Sequence, residues 1–160
     1  MDDFDIAILN ILQLNARCSC EQIGETIGLS ASACQRRIKK LKASGLIQNE
    51  VALLDRNQLS GLVTVIVDVT LTQGGEKALD DMVKVLNGAN QVQQIYYVSG
   101  EADFVVILIC QNMEEFDQLS RQLFMAQGNV KKFSSKIVIQ STKTNSAIPI
   151  SIHNVVVNQV

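Results

Sequence analysis

The chain has 160 residues, enough for one ordinary domain or two small ones. Hydrophobic residues make up 47% and aromatic residues only 4%, so a core can form and branched aliphatics must fill most of it. A formal net charge of −2 excludes the uniformly basic surface of a protein that coats nucleic acid; any DNA affinity must come from local clusters of Lys and Arg.

The start, Met1-Asp2-Asp3-Phe4-Asp5, is acidic where a secretion signal would be basic. The longest apolar stretch, Phe104 to Cys110, is far too short to span a bilayer. A cytoplasmic protein with no membrane association is expected. Helical spacing follows at once. Ile6, Leu9 and Leu12 share one face of a first helix, with Ile8 and Ile11 beside them and Asp5 or an earlier Asp as N-cap. Asn15-Ala16-Arg17 ends this helix, and Ser19 caps a short second one, Glu21 to Ile27, which buries Ile23 and Ile27.

Gly28-Leu29-Ser30 reads as a tight turn. Gly28 takes the left-handed conformation that ends a helix, Leu29 tucks inward, and Ser30 caps a third helix that runs to Ser44. Cys34, Ile38 and Leu41 line its inner side, and Gly45 ends it. Three helices around a short Gly-containing turn predict a winged or plain helix-turn-helix DNA-binding domain at residues 1–46.

The third helix carries Arg36, Arg37, Lys39, Lys40 and Lys42, five cations within seven residues. Acidic residues elsewhere bring the first fifty residues to zero net charge, so the basic character is concentrated on this helix. Ser32, Gln35 and Arg36, near the helix start and away from Cys34 and Ile38, are placed to reach base edges of double-stranded DNA. Gln pairs in bidentate fashion with adenine and Arg with guanine, at roughly 1–3 kcal/mol of discrimination each. Lys39, Lys40 and Arg37 are assigned to phosphate, with bracing of the fold by an acidic partner as the competing role for Arg37, and the cap residue Ser30 is counted among the DNA-binding candidates as well. A cationic run elsewhere would read as a solvated helix face; its position after the Ile-Gly-Leu-Ser turn favours DNA.

Residues 47–61 form an extended hinge, with a turn at Asp55-Arg56-Asn57-Gln58. Residues 62–143 then alternate strand and helix. Val63 to Leu71 is a strand with one apolar face, Gly74-Gly75 breaks it, and Glu76 to Asn87 is a helix with Leu79, Met82, Val83 and Leu86 inward. Val92 to Ser99 and Phe104 to Cys110 make a hairpin around Gly100-Glu101-Ala102-Asp103. Met113 to Gln127 is helical, with Phe116, Leu119 and Leu123 inward, and Val130 to Ile139 is the last strand. The order β-α-β-β-α-β is the ferredoxin-like pattern. The fold class is α+β: a helix-turn-helix domain linked to a ferredoxin-like domain.

Two helices cover only one face of such a sheet, yet Phe104 to Cys110 is apolar on both. A second copy of the same sheet is the simplest cover, so a homodimer is expected. Residues 144–160 form an extension with the single proline, Pro149, and an apolar patch, Val155-Val156-Val157. An added edge strand, contact with a neighbouring subunit and disorder all remain open for it.

Cys18, Cys20, Cys34 and Cys110 include no second Cys/His pair at zinc spacing, so no metal site and no cofactor are expected. Four free thiols is the simple reading, with redox sensing by Cys18 and Cys20 the alternative.

Asp5-Ile6-Ala7-Ile8-Leu9, Arg17, Gly28-Leu29-Ser30, Arg37-Ile38, Leu41 and Gly45-Leu46-Ile47 resemble the helix-turn-helix signature of the Lrp/AsnC (feast/famine) transcriptional regulators. Val98-Ser99-Gly100-Glu101-Ala102-Asp103-Phe104 resembles that family's Gly-x-x-Asp-aromatic loop, and the match covers residues 1 to about 143. The resemblance implies dimers that assemble into tetramers, octamers or larger discs, with small molecules, typically amino acids, bound between dimers near this loop. Carried onto this chain, the effector-binding candidates are Ser99, Gly100, Glu101 and Asp103. Backbone N–H groups beside Gly100 suit a carboxylate and Asp103 suits an ammonium; a plain turn capped by Asp103 is the competing reading. Gly128-Asn129 stands where the family often has Pro-Gly, and no proline follows Asp55.

The function expected is a DNA-binding regulator responsive to a small molecule, with an effector-independent architectural DNA-binding protein as the alternative. Catalysis is not expected. Some proteins that share this fold pair are siroheme decarboxylases that lean on histidine, whereas the single histidine here, His153, lies in the tail, and no nucleophile elbow or phosphate loop is present.

Overall fold

The computed structural model describes residues 1–151. The apolar patch at Val155–Val157 and His153 lie outside the described residues. The chain divides into two compact units, Met1–Leu53 with the stretch from Lys143, and Leu54–Thr142.

The first unit holds α1 (Asp3–Leu14), α2 (Cys20–Ile27) and α3 (Ala31–Ala43). Asp2 is the N-cap of α1. Its carboxylate accepts from the Asp5 amide, and the Asp5 carboxylate accepts from the Asp2 amide, so two otherwise unpaired donors are satisfied reciprocally. The buried stripe of α1 runs through Asp5, Ile8 and Leu9, with Leu12 packed beside it. It is therefore centred on Ile8, whereas periodicity alone centres it between Ile6 and Leu12. Ile8, Leu9, Ile23, Cys34 and Leu41 form the core, and Ile27, Leu29, Ile38 and Ile47 pack around it. Among the described residues no strand forms between α3 and the next unit, so the helices carry no β-wing.

The tail belongs to this unit. Gln13 donates from Nε2 to the Ile148 carbonyl at 3.1 Å and accepts the Ile148 amide on Oε1 at 2.6 Å, while Ile150 packs against the helical core.

The second unit begins with a single 3-10 turn at Arg56–Gln58 and continues with β1 (Val63–Leu71), α4 (Glu76–Asn87), β2 (Val92–Tyr97), β3 (Phe104–Cys110), α5 (Met113–Ser120) and β4 (Val130–Ile137). A π-helical stretch, Arg121–Met125, extends α5 and keeps Leu123 and Phe124 buried. The sheet order is β2-β3-β1-β4 and every pairing is antiparallel, the ferredoxin-like arrangement expected from the element order. β2 ends at Tyr97 and β4 at Ile137, each two residues short of the extent read from composition.

Alternation decides which face each strand residue joins. Val65, Val67, Val69 and Leu71 of β1 and Phe104, Val106, Leu108 and Cys110 of β3 point into one core, covered by Met82, Leu86, Phe116, Leu119 and Leu123. The opposite face carries Ile66 beside Val105, Ile107 and Ile109, all only half-buried, with an Asp68–Lys136 ion pair at its flank. Among the described residues no helix is long and apolar enough to cross a membrane.

Candidate nucleic-acid interface and sensing loop

The presentation of α3 is set by the turn before it. Ser19 caps α2 in a reciprocal box with Gln22, and Gly28 ends it at φ +77°, a conformation that glycine adopts without steric cost. Both the Gly28 and Leu29 amides donate to the Gly24 carbonyl, at 2.8 and 3.0 Å. The chain folds back so tightly that a Cβ on Gly24 would lie 2.3 Å from the Leu29 carbonyl oxygen. The Ser30 hydroxyl then accepts the Ala33 amide at 3.2 Å and starts α3.

On α3, Cys34 and Leu41 are buried and Ile38 is half-buried, as their spacing requires. Ser32, Gln35, Arg36, Lys39 and Lys40 are exposed. The first four recur at i, i+3, i+4 and i+7 and so share one face. Among the described residues no ion pair involves Arg36, Lys39 or Lys40. Ser30 acts as the cap, with its hydroxyl 3.2 Å from that of Ser32.

Arg37 is placed differently from its neighbours. Its Nη1 donates to Asp5 at 2.7 Å and to Asp2 at 2.9 Å, and its guanidinium lies 5.4 Å from the centre of the Phe4 ring. The Asp5 side chain is 11% exposed, so this contact neutralises a carboxylate that sits on the core stripe of α1. The Asp5 amide, helped by Arg37, holds the Asp2 carboxyl below the usual range, and the hydrogen bonds that Arg37 donates to Asp5 and Asp2 push its own value upward. These contacts fit the competing role for Arg37, a brace between α1 and α3. Lys42 is likewise engaged, 2.9 Å from Glu50. Among the described residues, five cations reduce to three that face solvent without an ion pair.

In the second unit, the loop after β2 is pinned to the end of β1. The Asp103 amide donates to the Val69 carbonyl at 2.9 Å, the Val98 amide to the Asp103 carbonyl at 3.0 Å, and the Thr70 hydroxyl to the Glu101 carbonyl at 3.3 Å. One Asp103 carboxylate oxygen accepts the Leu71 amide at 2.7 Å. Asp103 is thus the turn brace, and Ser99, Gly100 and Glu101 are the exposed members of the loop. Leu71 also lines a cavity of about 760 Å³, together with Gly74, Lys77, Asp81, Gln127 and Asn129. Asn129 closes one wall: its side chain makes a two-point contact with the Gln73 backbone at 2.9 Å each way, and its carbonyl accepts the Thr72 amide at 2.7 Å.

Residues 1–42 match the AsnC-type helix-turn-helix domain, and residues 64–148 match the Lrp/AsnC ligand binding domain. The chain belongs to the Lrp/AsnC family. Its members are transcriptional regulators rather than enzymes, and so is this protein. An HTH-type regulator of Sinorhizobium fredii, y4tD, is 34% identical over 152 residues, covering 95% of this chain and 90% of the relative. The glutamate uptake regulatory protein of Zymomonas mobilis is 31% identical, covering 94% and 91%. Among solved structures, an AsnC family regulator from Agrobacterium tumefaciens superposes with a TM-score of 0.85 at 27% identity, covering 93% of this chain and 97% of its own. A Neisseria meningitidis regulator in complex with L-Met gives 0.84 at 24%, covering 93% and 96%, a likeness of fold.

Two residues that shape these Lrp/AsnC sites, Gly24 and Gln73, are not singled out from sequence, and Asn129 enters there only as a departure from the family's Pro-Gly. Gly24 carries a usable signal, a glycine in mid-helix four residues before a second glycine. The contact between Gln73 and Asn129 carries none, because it spans 56 positions.

Proposed function

We propose that this protein binds specific DNA sequences as a homodimer, and that a small-molecule effector, most simply an amino acid, tunes that binding. Ser32, Gln35 and Arg36 read base edges, and Lys39 and Lys40 hold phosphate. The observation that carries this reading is the exposed face of α3, whose three cations remain unpaired while Arg37 and Lys42 are engaged within the chain. Unpaired exposed cations release counterions on meeting phosphate; paired ones must first break a contact.

Dimerisation is supported by the half-buried apolar face of β1 and β3 and by the hinge, where Val51, Leu53 and Leu54 are 70%, 75% and 72% exposed. Two reading helices per dimer suit two half-sites. For the effector, Ser99, Gly100 and Glu101 are accessible, and the adjoining cavity offers Lys77 and Asp81 as opposite charges for an amino acid's two ends. Asp103 supports the loop from behind. Relatives include leucine-responsive regulatory proteins and structures solved with L-methionine. An effector that prefers one assembly or hinge geometry shifts its population and with it the spacing of the reading helices.

Selection of bound sequences from random DNA, paired with a thermal-shift screen of the amino acids, tests this. A near-palindromic consensus and at least one stabilising amino acid are expected. Sequence-independent binding with no stabilising amino acid would instead indicate an effector-independent architectural protein.

A further inference from the structure

The chain passes between its two units twice, once after Leu53 and again after Thr142. The second passage carries the tail back to α1. There the Gln13 side chain grips one residue at two points, donating to the Ile148 carbonyl at 3.1 Å and accepting the Ile148 amide at 2.6 Å. This is the pattern a neighbouring strand would make, supplied here by a single amide side chain. The Asn145 side chain accepts the Ala147 amide at 3.0 Å and turns the chain into this contact. Pro149 follows with its φ already restricted, and Ile150 packs against the cluster that contains Ile8, Ile23, Cys34 and Leu41.

We propose that the segment from Asn145 to Ile150 is a fourth element of the DNA-binding unit, a strap that positions α1 and, through it, the reading helix. α1 is then held at both ends. Arg37 of α3 grips Asp2 and Asp5 at its start, and the strap grips Gln13 in its last turn. Gln13 and Ile150 are positioning residues: neither lies on the exposed face of α3, yet both fix the helix against which α3 is braced. Because the strap follows β4 after a short connection, it is a second covalent route between the two units besides the hinge.

This inference rests on the DNA-binding reading, so its test separates the two. Amide exchange is followed by NMR on full-length protein carrying Gln13→Ala, Ile150→Ala or Gln13→Glu, which keeps the acceptor for the Ile148 amide and removes the donor. Affinity for a selected DNA site is measured alongside. Gln13→Ala and Ile150→Ala are expected to speed exchange in the last turns of α1 and at its contacts with α3 by about tenfold, the mark of a local opening made easier. DNA affinity falls about threefold or more in the same variants. Gln13→Glu restores part of both. Faster exchange confined to the Ile148 amide, or faster exchange in α1 with DNA affinity unchanged, would overturn the proposal. If the unaltered protein fails to bind DNA while exchange responds as described, the DNA reading fails and the strap's hold on α1 stands.

Discussion

Gly24→Ala sets two well-characterised effects against each other in the turn that aims the reading helix. Helix propensity alone favours Ala over Gly by about 0.8–1.0 kcal/mol. Here the new Cβ would meet the Leu29 carbonyl oxygen at 2.3 Å and its carbonyl carbon at 3.3 Å. Both are backbone atoms, so no rotamer change relieves the overlap. The turn must move by about 1 Å to restore contact distance, and the bonds from Gly28 and Leu29 to the Gly24 carbonyl stretch with it. Overpacking of this kind costs about 1–3 kcal/mol and occasionally more, and broken turn bonds add to it, so the steric term outweighs the propensity gain. A net loss of about 1–2 kcal/mol is expected, which lowers Tm by about 4–8 °C for each kcal/mol in a unit this small. Thermal unfolding followed by circular dichroism reads it directly, and DNA affinity should fall in parallel because α3 is re-aimed. Gly28→Asn is the control: the site is open, and Asn tolerates a φ of +77° better than most residues. A Gly24→Ala protein as stable as the parent, or more so, would refute the close-approach argument.

Other substitutions probe the remaining contacts. Asp103→Ala removes the acceptor for the Leu71 amide and should cost about 1–3 kcal/mol, whereas Asp103→Asn, which keeps an oxygen there, should cost less; equal losses in urea unfolding would show that the Leu71 contact is not what matters. Burial pushes the Cys34 and Cys110 thiols up, while Cys18 and Cys20 are half-buried. Ellman's reagent at mildly alkaline pH should therefore label Cys18 and Cys20 first, and Cys34 and Cys110 only on unfolding. Because the Asp2 carboxyl is held below its ordinary value of 3.8, its contribution to stability is present above that value and lost as the pH falls through the lowered one. Acid unfolding should be less steep there in Asp2→Asn, and identical profiles would contradict the capping role.

Much of this architecture was legible because it rests on local rules. The Ser19, Gly28 and Ser30 caps, the alternation in β1 and the two-sided apolar run of β3 each depend on neighbours in sequence. What escaped depends on partners far away. Asp5 looks like a solvent-facing cap residue until Arg37, 32 positions on, makes its burial tolerable. Asp103 reads in sequence either as a ligand for an ammonium or as a turn cap, and the Leu71 amide that one of its oxygens accepts lies 32 positions away. Arg37 itself reads in sequence as a phosphate contact with a brace as the competing role, and the approach of α1 that engages it is not visible in local sequence. The tail offered no periodicity, since its attachment depends on one glutamine 135 positions earlier. Of the winged and plain forms left open by the sequence, the plain one is found, because the residues after Gly45 find no strand partner within their unit among the described residues.

The division of labour on α3 is the central claim, and the salt dependence of DNA affinity tests it most directly. Each phosphate contact adds about 0.9 to the slope of log affinity against log salt. Lys39→Met and Lys40→Met should each reduce the slope by about that amount and leave Tm nearly unchanged. Arg37→Met should do the reverse, lowering Tm through the uncompensated Asp5 while keeping the parent's slope. An Arg37→Met protein that loses slope as the lysine variants do, or lysine variants that keep the full slope, would contradict the assignment.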